Sequence, residues 1–315
     1  MTAIVAGRGR VPTAPFRPQS PCDAACVDAS PADCGWPMRV LRYATLVGVV
    51  AVTAAIAAFV RLMPAGQRRT RAASTVLRNA ARAILAILGV DIDPGVRLPR
   101  ERALVVANHI SWLDIVALLA SGSGQRLRLV AKVEVAGWPV IGRLATVLGT
   151  VFIDRNRPRT LPATVAEVRR ALIDGDVVVV FAEGTTCCGV HRAPFRPAVF
   201  QAAVDARARV FPVTIRYADG HGVTSTVPAF LGDETLITSL RRVVARRQTR
   251  VGLRVGAPLY PQAGAGRRRL AMAAQHAGAR EVRRTPVVPT QPTATPTTVP
   301  APTPTATPTL TTASA

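Results

Sequence analysis

The stretch ALVVANHISWLDIVALL, Ala103 to Leu119, holds two titratable side chains, His109 and Asp114, in an otherwise apolar run. On one regular helix, residues five apart are rotated by about 140°, so the two could not share a face. Reading ALVVAN (103–108) as a buried strand and SWLDIVALLA (111–120) as a helix removes the conflict. His109 then lies in the turn, Ser111 can cap the helix, and Asp114 falls in its first turn. A bent turn can direct the imidazole back toward the carboxylate. Such a pair suits general-base chemistry: the carboxylate fixes the tautomer and steadies the imidazolium, while the outer ring nitrogen takes a proton from a hydroxyl.

Working outward, RLRLVAK (126–132) and GTVFIDR (149–155) read as strands, and LPATVAEVRRALIDG (161–175) as a helix with Pro162 in its first turn and Gly175 ending it. DVVVVFAEG (176–184) is the strongest strand, an apolar run between turn residues. VFPVTIRY (210–217) and RVGLRVGAPL (250–259) supply further strands. Strands alternating with helices predict an α/β domain over residues 91–262, a mixed sheet flanked by helices.

Upstream, YATLVGVVAVTAAIAAFV (43–60) carries no charge, and a membrane-crossing helix needs about 17–25 such residues. A membrane helix over 39–65 is the expectation; a helix buried in a soluble core is the plainer alternative. The segment begins too far from the N-terminus for a signal peptide. Arg39 and Arg42 precede it, and Arg61, Arg68, Arg69, Arg71 and Arg78 follow. The positive-inside rule then puts the downstream domain in the cytoplasm. Residues 66–90 place Arg71, Thr75, Arg78 and Arg82 at helical spacing against a broad apolar face. That fits an amphipathic interfacial helix, completing an N-terminal membrane-associated pair, and equally fits a helix packed on its own domain. Residues 1–38, rich in Pro, Ala and Arg, are expected to be a disordered or loosely attached leader. Residues 263–284 read as a basic segment. Residues 285–315, nearly all Pro, Thr, Ala, Val or Ser, cannot bury a core and read as a disordered tail.

Composition narrows the function classes. The chain of 315 residues is 49% apolar, ample for a core, and carries a net charge of +22. Lys132 is the only lysine, an arginine bias that points first to a GC-rich genome. The charge implies an anionic partner: nucleic acid, anionic lipid or a phosphorylated small molecule. Aromatics are 4% of the chain and do not interleave with arginines as base-stacking surfaces require, which argues against nucleic acid. Five cysteines make no disulfide framework in a chain this long, and all five (Cys22, Cys26, Cys34, Cys187, Cys188) read as free thiols. None of the four histidines has metal-ligand spacing with a second ligand, so no metal is expected. A G-x-S-x-G nucleophile elbow is absent, which disfavours a serine hydrolase. Neither Cys187 nor Cys188 shows an evident neighbouring base in the sequence, which disfavours a thiol acyl-enzyme.

NHISWLD (108–114) resembles the N-H-x-S-W-x-D signature of the glycerolipid acyltransferases, among which the 1-acylglycerol-3-phosphate acyltransferases are best known. GTVFIDR (149–155) is similar to that family's G-x-x-F-I-D-R, FAEGTT (181–186) to its F-P-E-G-T, and VFPV (210–213) to its fourth, proline-containing element. The four motifs occur in the family's order and the resemblance covers about 90 to 260. It implies that His109 acts as general base, oriented by Asp114. An acceptor hydroxyl would attack the thioester of acyl-CoA or acyl carrier protein directly, with no cofactor. It implies that Arg155 grips a phosphate bidentately, that Glu183, Gly184 and Thr185 bind the acceptor, and that Arg196 is a second phosphate ligand. Asp154 would steady this strand end or cap a turn. Ala182 departs from the usual proline, and Cys187–Cys188 stand where polar residues are common. The run EGTT…PFRPAVFQAA also resembles the branch that acylates lyso-ornithine lipid. The expected acceptor is therefore a lysophospholipid, first 1-acylglycerol-3-phosphate, alternatively lyso-ornithine lipid, at the cytoplasmic face of the cell membrane where anionic lipid is a partner. A non-enzymatic basic membrane scaffold is the rival from another class.

Overall fold

The computed structural model describes residues 18–64, 66–122, 125–138, 141–261 and 266–284. The Pro/Thr tail lies outside them. Helices α1 (Trp36–Leu62) and α2 (Gln67–Leu88) lead into strands β1 (Val90–Ile92) and β2 (Ala103–Ala107), followed by α3 (Leu113–Ala120), β3 (Leu127–Lys132), α4 (Ile141–Val147) and β4 (Val151–Ile153). Then come α5 (Leu161–Ile173), β5 (Val177–Phe181), α6 (Phe200–Ala206), β6 (Arg209–Asp219), α7 (Leu236–Val244), β7 (Thr249–Val255) and α8 (Arg267–Arg284).

The seven strands form one sheet in the order β1-β7-β6-β2-β5-β3-β4. Only β6 and β7 pair antiparallel, so the sheet is mixed. The central strands β2 and β5 are buried along their whole length, which explains their unbroken apolar sequence. Alternation still divides their side chains between two cores. Ala103, Val105 and Ala107 with Val177, Val179 and Phe181 join one core, beneath α2, α3 and α7. Leu104 and Val106 with Val178 and Val180 join the other, beneath α5, α6 and α8. Each buried valine contributes about 1.5–3 kcal/mol of transfer free energy. Register places the C-terminal ends of β2 and β5 side by side and next to the middle of β6, with Ala107 opposite both Phe181 and Val213. The turns carrying the chemistry leave from that edge.

Helix α1 is unlike the others. Its most apolar 18-residue window has a mean hydropathy of 2.2 and is only 6% buried, so it is long and apolar enough to cross a membrane. Its 27 residues rise about 1.5 Å each, or roughly 40 Å in all, against a hydrocarbon core of about 30 Å. Val47, Phe59 and Leu62 are largely exposed. Near its start the buried Arg42 guanidinium donates to the carbonyls of Val244, Arg246 and Arg247, where α7 ends. A guanidinium there satisfies carbonyls the helix leaves free; Arg42 is thus a clamp as well as a flanking charge. Helix α2 packs against α1 and α3, burying Leu77, Ala81, Leu85 and Leu88 on one stripe. Its Arg82 donates from Nε to the Ala120 carbonyl at the end of α3 (3.1 Å).

Two segments depart from expectation. From Pro18 onward the leader is laid on the domain: Cys22 and Cys34 are buried. Asp28 and Thr226 exchange backbone and side-chain hydrogen bonds of 2.9 and 3.0 Å. Its partners lie some two hundred positions away, so local composition could not reveal them. The basic segment is helical from Arg267, with Leu270, Ala271 and Ala274 turned into the second core.

Candidate active site

At the end of β2 the chain turns sharply and α3 begins at Leu113, two residues later than the sequence reading placed it. Asn108 locks the turn to β6: its side chain donates to the Ile215 carbonyl (3.0 Å) and accepts from the Ile215 amide (2.8 Å). Trp112, not Ser111, is the N-cap residue of α3; the Ser111 hydroxyl accepts from the Leu113 amide at 3.3 Å within the turn before it.

Asp114 does most of the organising. Its Oδ2 accepts from the Ile110 amide (2.6 Å) and the Ser111 amide (3.0 Å), and lies 2.8 Å from Nδ1 of His109. Its Oδ1 accepts from the Tyr217 hydroxyl at 2.7 Å. The side chain is fully buried, and these hydrogen bonds satisfy both of its oxygens there. With Nδ1–H given to Asp114, His109 presents Nε2 as a proton acceptor. Its ring stacks on Phe181 of β5 at 3.9 Å and 12°, which fixes the remaining rotation. Sequence reasoning missed Tyr217 and Phe181. Tyr217 left one signal, a hydroxyl on the core-facing side of β6 alongside Val213 and Ile215. Its phenol is pushed well above its ordinary value by burial and by Asp114, so it stays a donor.

His109 opens into a cavity of about 1120 Å³. Leu46, Val50 and Ala57 of α1 and Leu77, Ala81 and Ile84 of α2 line its apolar part. Lys132, Arg155 and Arg196 bring cations into the same space, along with Gly184 and Thr185. Burial lowers the Arg155 guanidinium from its ordinary value, opposed by Glu134; among the described residues it forms no salt bridge. Asp154 accepts from the Asn156 amide (2.9 Å) and pairs with Arg157 (3.6 Å), so it shapes the turn beside Arg155.

Glu183 lies apart from the cavity lining. It is buried beneath His109, and its Oε2 accepts from the His109 backbone amide at 3.1 Å. Its other oxygen has no hydrogen-bond partner among the described residues. Burial pushes this carboxyl up to about 7, against the pull of the His109 amide and of Arg192. Glu183 therefore holds the turn that carries the histidine. The thiol of Cys187 is pushed up to about 12 by burial and by Glu183, so it is no nucleophile near neutral pH.

Comparison with known proteins gives the family. Residues 92–216 match the model of the Acyltransferase family. The lyso-ornithine lipid O-acyltransferase of Pseudomonas aeruginosa is 34% identical over 245 residues, 75% of this chain and 90% of that relative. The chain belongs to the glycerolipid acyltransferase family. The 1-acyl-sn-glycerol-3-phosphate acyltransferase of Neisseria meningitidis is 37% identical over 169 residues, 53% of this chain. The match spans 65% of that relative's length. Among solved structures, the 1-acyl-sn-glycerophosphate acyltransferase of Thermotoga maritima superposes with a TM-score of 0.56 at 19% identity, covering 78% of this chain and 98% of that one. The glycerolipid acyltransferase fold, a mixed sheet flanked by helices, is therefore shared. The His109–Asp114 turn, the Arg155 strand end and the Glu183 loop all fall inside the matched family region.

Proposed function

We propose that the protein transfers a fatty acyl group from a thioester donor, acyl-CoA or acyl carrier protein, to the free hydroxyl of a lysophospholipid, first 1-acylglycerol-3-phosphate. The observation that carries this reading is one cavity joining the oriented His109 to an arginine-bearing strand end and to the apolar faces of α1 and α2. Nε2 of His109 removes the acceptor's hydroxyl proton as the oxygen attacks the thioester carbonyl. The tetrahedral intermediate collapses by breaking the C–S bond, and the imidazolium returns its proton to the leaving thiolate. Asp114 stabilises the transient imidazolium. No protein nucleophile and no cofactor enter these steps. The apolar part of the cavity takes an acyl chain, and Arg155, with Arg196 and Lys132 near it, takes the acceptor phosphate.

The reaction belongs at the cytoplasmic surface of the cell membrane, with α1 in the bilayer and the arginine-rich domain drawn to anionic lipid. Each basic residue near such a surface adds about 1 kcal/mol. Nucleic acid is not a partner in this reading. A second acceptor, lyso-ornithine lipid, is favoured by the extent of the match to the Pseudomonas relative.

The test follows free thiol released from acyl-CoA by the purified protein in mixed micelles. Release that depends on lysophosphatidate supports the proposal, and release that depends only on lyso-ornithine lipid selects the second acceptor. Release without either acceptor would indicate a hydrolase, and none at all a membrane scaffold. Arg155→Ala should raise the KM for lysophosphatidate by about 10–100-fold, the loss of a charged hydrogen-bond pair worth about 1.5–3 kcal/mol. The KM for acyl-CoA should stay unchanged.

A further inference from the structure

Three of the five cysteines and one of the four histidines meet at a single point outside the catalytic turn. The candidate ligand atoms of Cys22, Cys26, Cys188 and His191 all lie within 4.8 Å of one another. Cys22 and Cys188 are 166 positions apart, so only the fold brings them together. We infer that these four residues form a structural tetrahedral metal site of the Cys3His type, suited to Zn²⁺, which fastens the leader to the loop after β5.

The geometry is close to what the ion needs. With Zn–S near 2.3 Å and Zn–N near 2.05 Å, a regular tetrahedron puts sulfur and nitrogen about 3.6 Å apart and two sulfurs about 3.8 Å apart. Cys188 Sγ and His191 Nδ1 are 3.5 Å apart. The wider pairs need to close by about 1 Å, within the reach of side-chain rotation. Backbone amides already point at two sulfurs: the Cys188 amide at Cys22 Sγ (3.3 Å) and the His191 amide at Cys188 Sγ (3.4 Å). Amide donors of this kind stabilise thiolates and set ligand orientation around a metal. Gly189, at φ +91°, makes the tight turn that returns His191 to Cys188, and a Cβ there would stand 2.9 Å from Ile110. A disulfide between Cys22 and Cys188 would engage two of the four groups and leave a third thiol and an imidazole gathered for no purpose. Metal binding by three thiols and a neutral imidazole releases three protons and leaves a net charge of −1, welcome in a chain of +22.

The consequence reaches the cavity. Leader residue Pro18 lines it, and Ser20 donates to the Thr186 carbonyl at 2.7 Å. Beside the cluster, the Cys187 amide donates to the His109 carbonyl at 2.8 Å. A metal at the cluster would hold the leader and this loop together against the catalytic turn.

The experiment uses the full chain, purified in detergent under reducing conditions without chelator, and measures metal by elemental analysis and native mass spectrometry. About one zinc per chain is expected, released by a thiol-blocking mercurial. Cobalt(II) exchanged into the protein should give the intense ligand-field bands of a tetrahedral thiolate site. Cys26→Ser and His191→Ala should each lower zinc occupancy, whereas Cys34→Ser, at a buried cysteine outside the cluster, should retain it. Free Cys22, Cys26 and Cys188 thiols with no metal in zinc-supplemented protein would overturn the inference. So would a Cys22–Cys188 disulfide in the peptide map, or zinc retained at full occupancy by both cluster variants.

Discussion

Replacing Asp114 by Asn separates the charge of this side chain from its shape. An asparagine can keep its carbonyl where Oδ2 now accepts from Ile110, Ser111 and His109, and turn its amide toward the Tyr217 oxygen. The fold and the histidine's position should survive, and only the negative charge is lost. An Nδ1–Oδ2 contact of 2.8 Å puts the imidazolium and carboxylate charge centres about 4 Å apart, an attraction of about 4 kcal/mol at an effective dielectric of 20. That attraction exists only once His109 has taken the proton, so its loss falls on the transition state. The kcat for thioester-dependent acylation should drop about 1,000-fold, with the KM for acyl-CoA within threefold of wild type. The assay is thiol release from acyl-CoA with lysophosphatidate present, alongside a melting curve to confirm folding. A folded Asp114→Asn protein keeping more than a tenth of the wild-type kcat would show that the carboxylate's charge does not assist the proton transfer.

Other expectations are simpler to state. His109→Ala should abolish acyl transfer while the protein still sediments with membranes; turnover by that variant would remove the general base from the mechanism. Tyr217→Phe leaves Asp114 Oδ1 without its donor, and should cost about 1.5–3 kcal/mol of stability by chemical denaturation. Glu183 is held near 7 when folded, against an ordinary 4.5, so its contribution to stability is greatest at low pH and falls as pH rises from about 4.5 through 7. Glu183→Gln, which mimics the protonated form, should therefore melt like wild type near pH 4.5. Near pH 8 it should be more stable by up to roughly 3 kcal/mol; equal melting at both pH values would refute the linkage. Arg42→Ala should loosen α1 from α7 and lower the melting temperature without changing the KM for acyl-CoA.

How much of this was legible in the sequence depended on how far apart the partners lie. The strands β2 and β5 announce themselves because a strand buried on both faces has no polar alternation to blur it. The His109–Asp114 pair was readable because strand, turn and helix fit within a dozen residues. Tyr217, which completes the carboxylate's shell, is 103 positions from Asp114 and had no local mark beyond one hydroxyl in a core-facing position. The role of Glu183 was only half visible. A carboxylate ending an apolar strand needs a partner, but that partner is the His109 backbone amide, and amides leave no trace in sequence. Helix α8 hid because its buried face is mostly alanine beneath a surplus of arginine. The gathering of Cys22, Cys26, Cys188 and His191 is the extreme case: each half is a closely spaced pair, but the two pairs meet only when the leader folds back.

The cavity's apolar wall is built by α1 and α2, the former being the helix suited to the bilayer. In the acyl-transfer reading, a lipid acceptor can slide in sideways from the leaflet and its diacylated product can slide out the same way, without either crossing water. Turnover would then respond to the mole fraction of acceptor in the surface rather than to its bulk concentration. Diluting the lipid with inert detergent at constant total acceptor would slow the enzyme even though nothing in solution had changed.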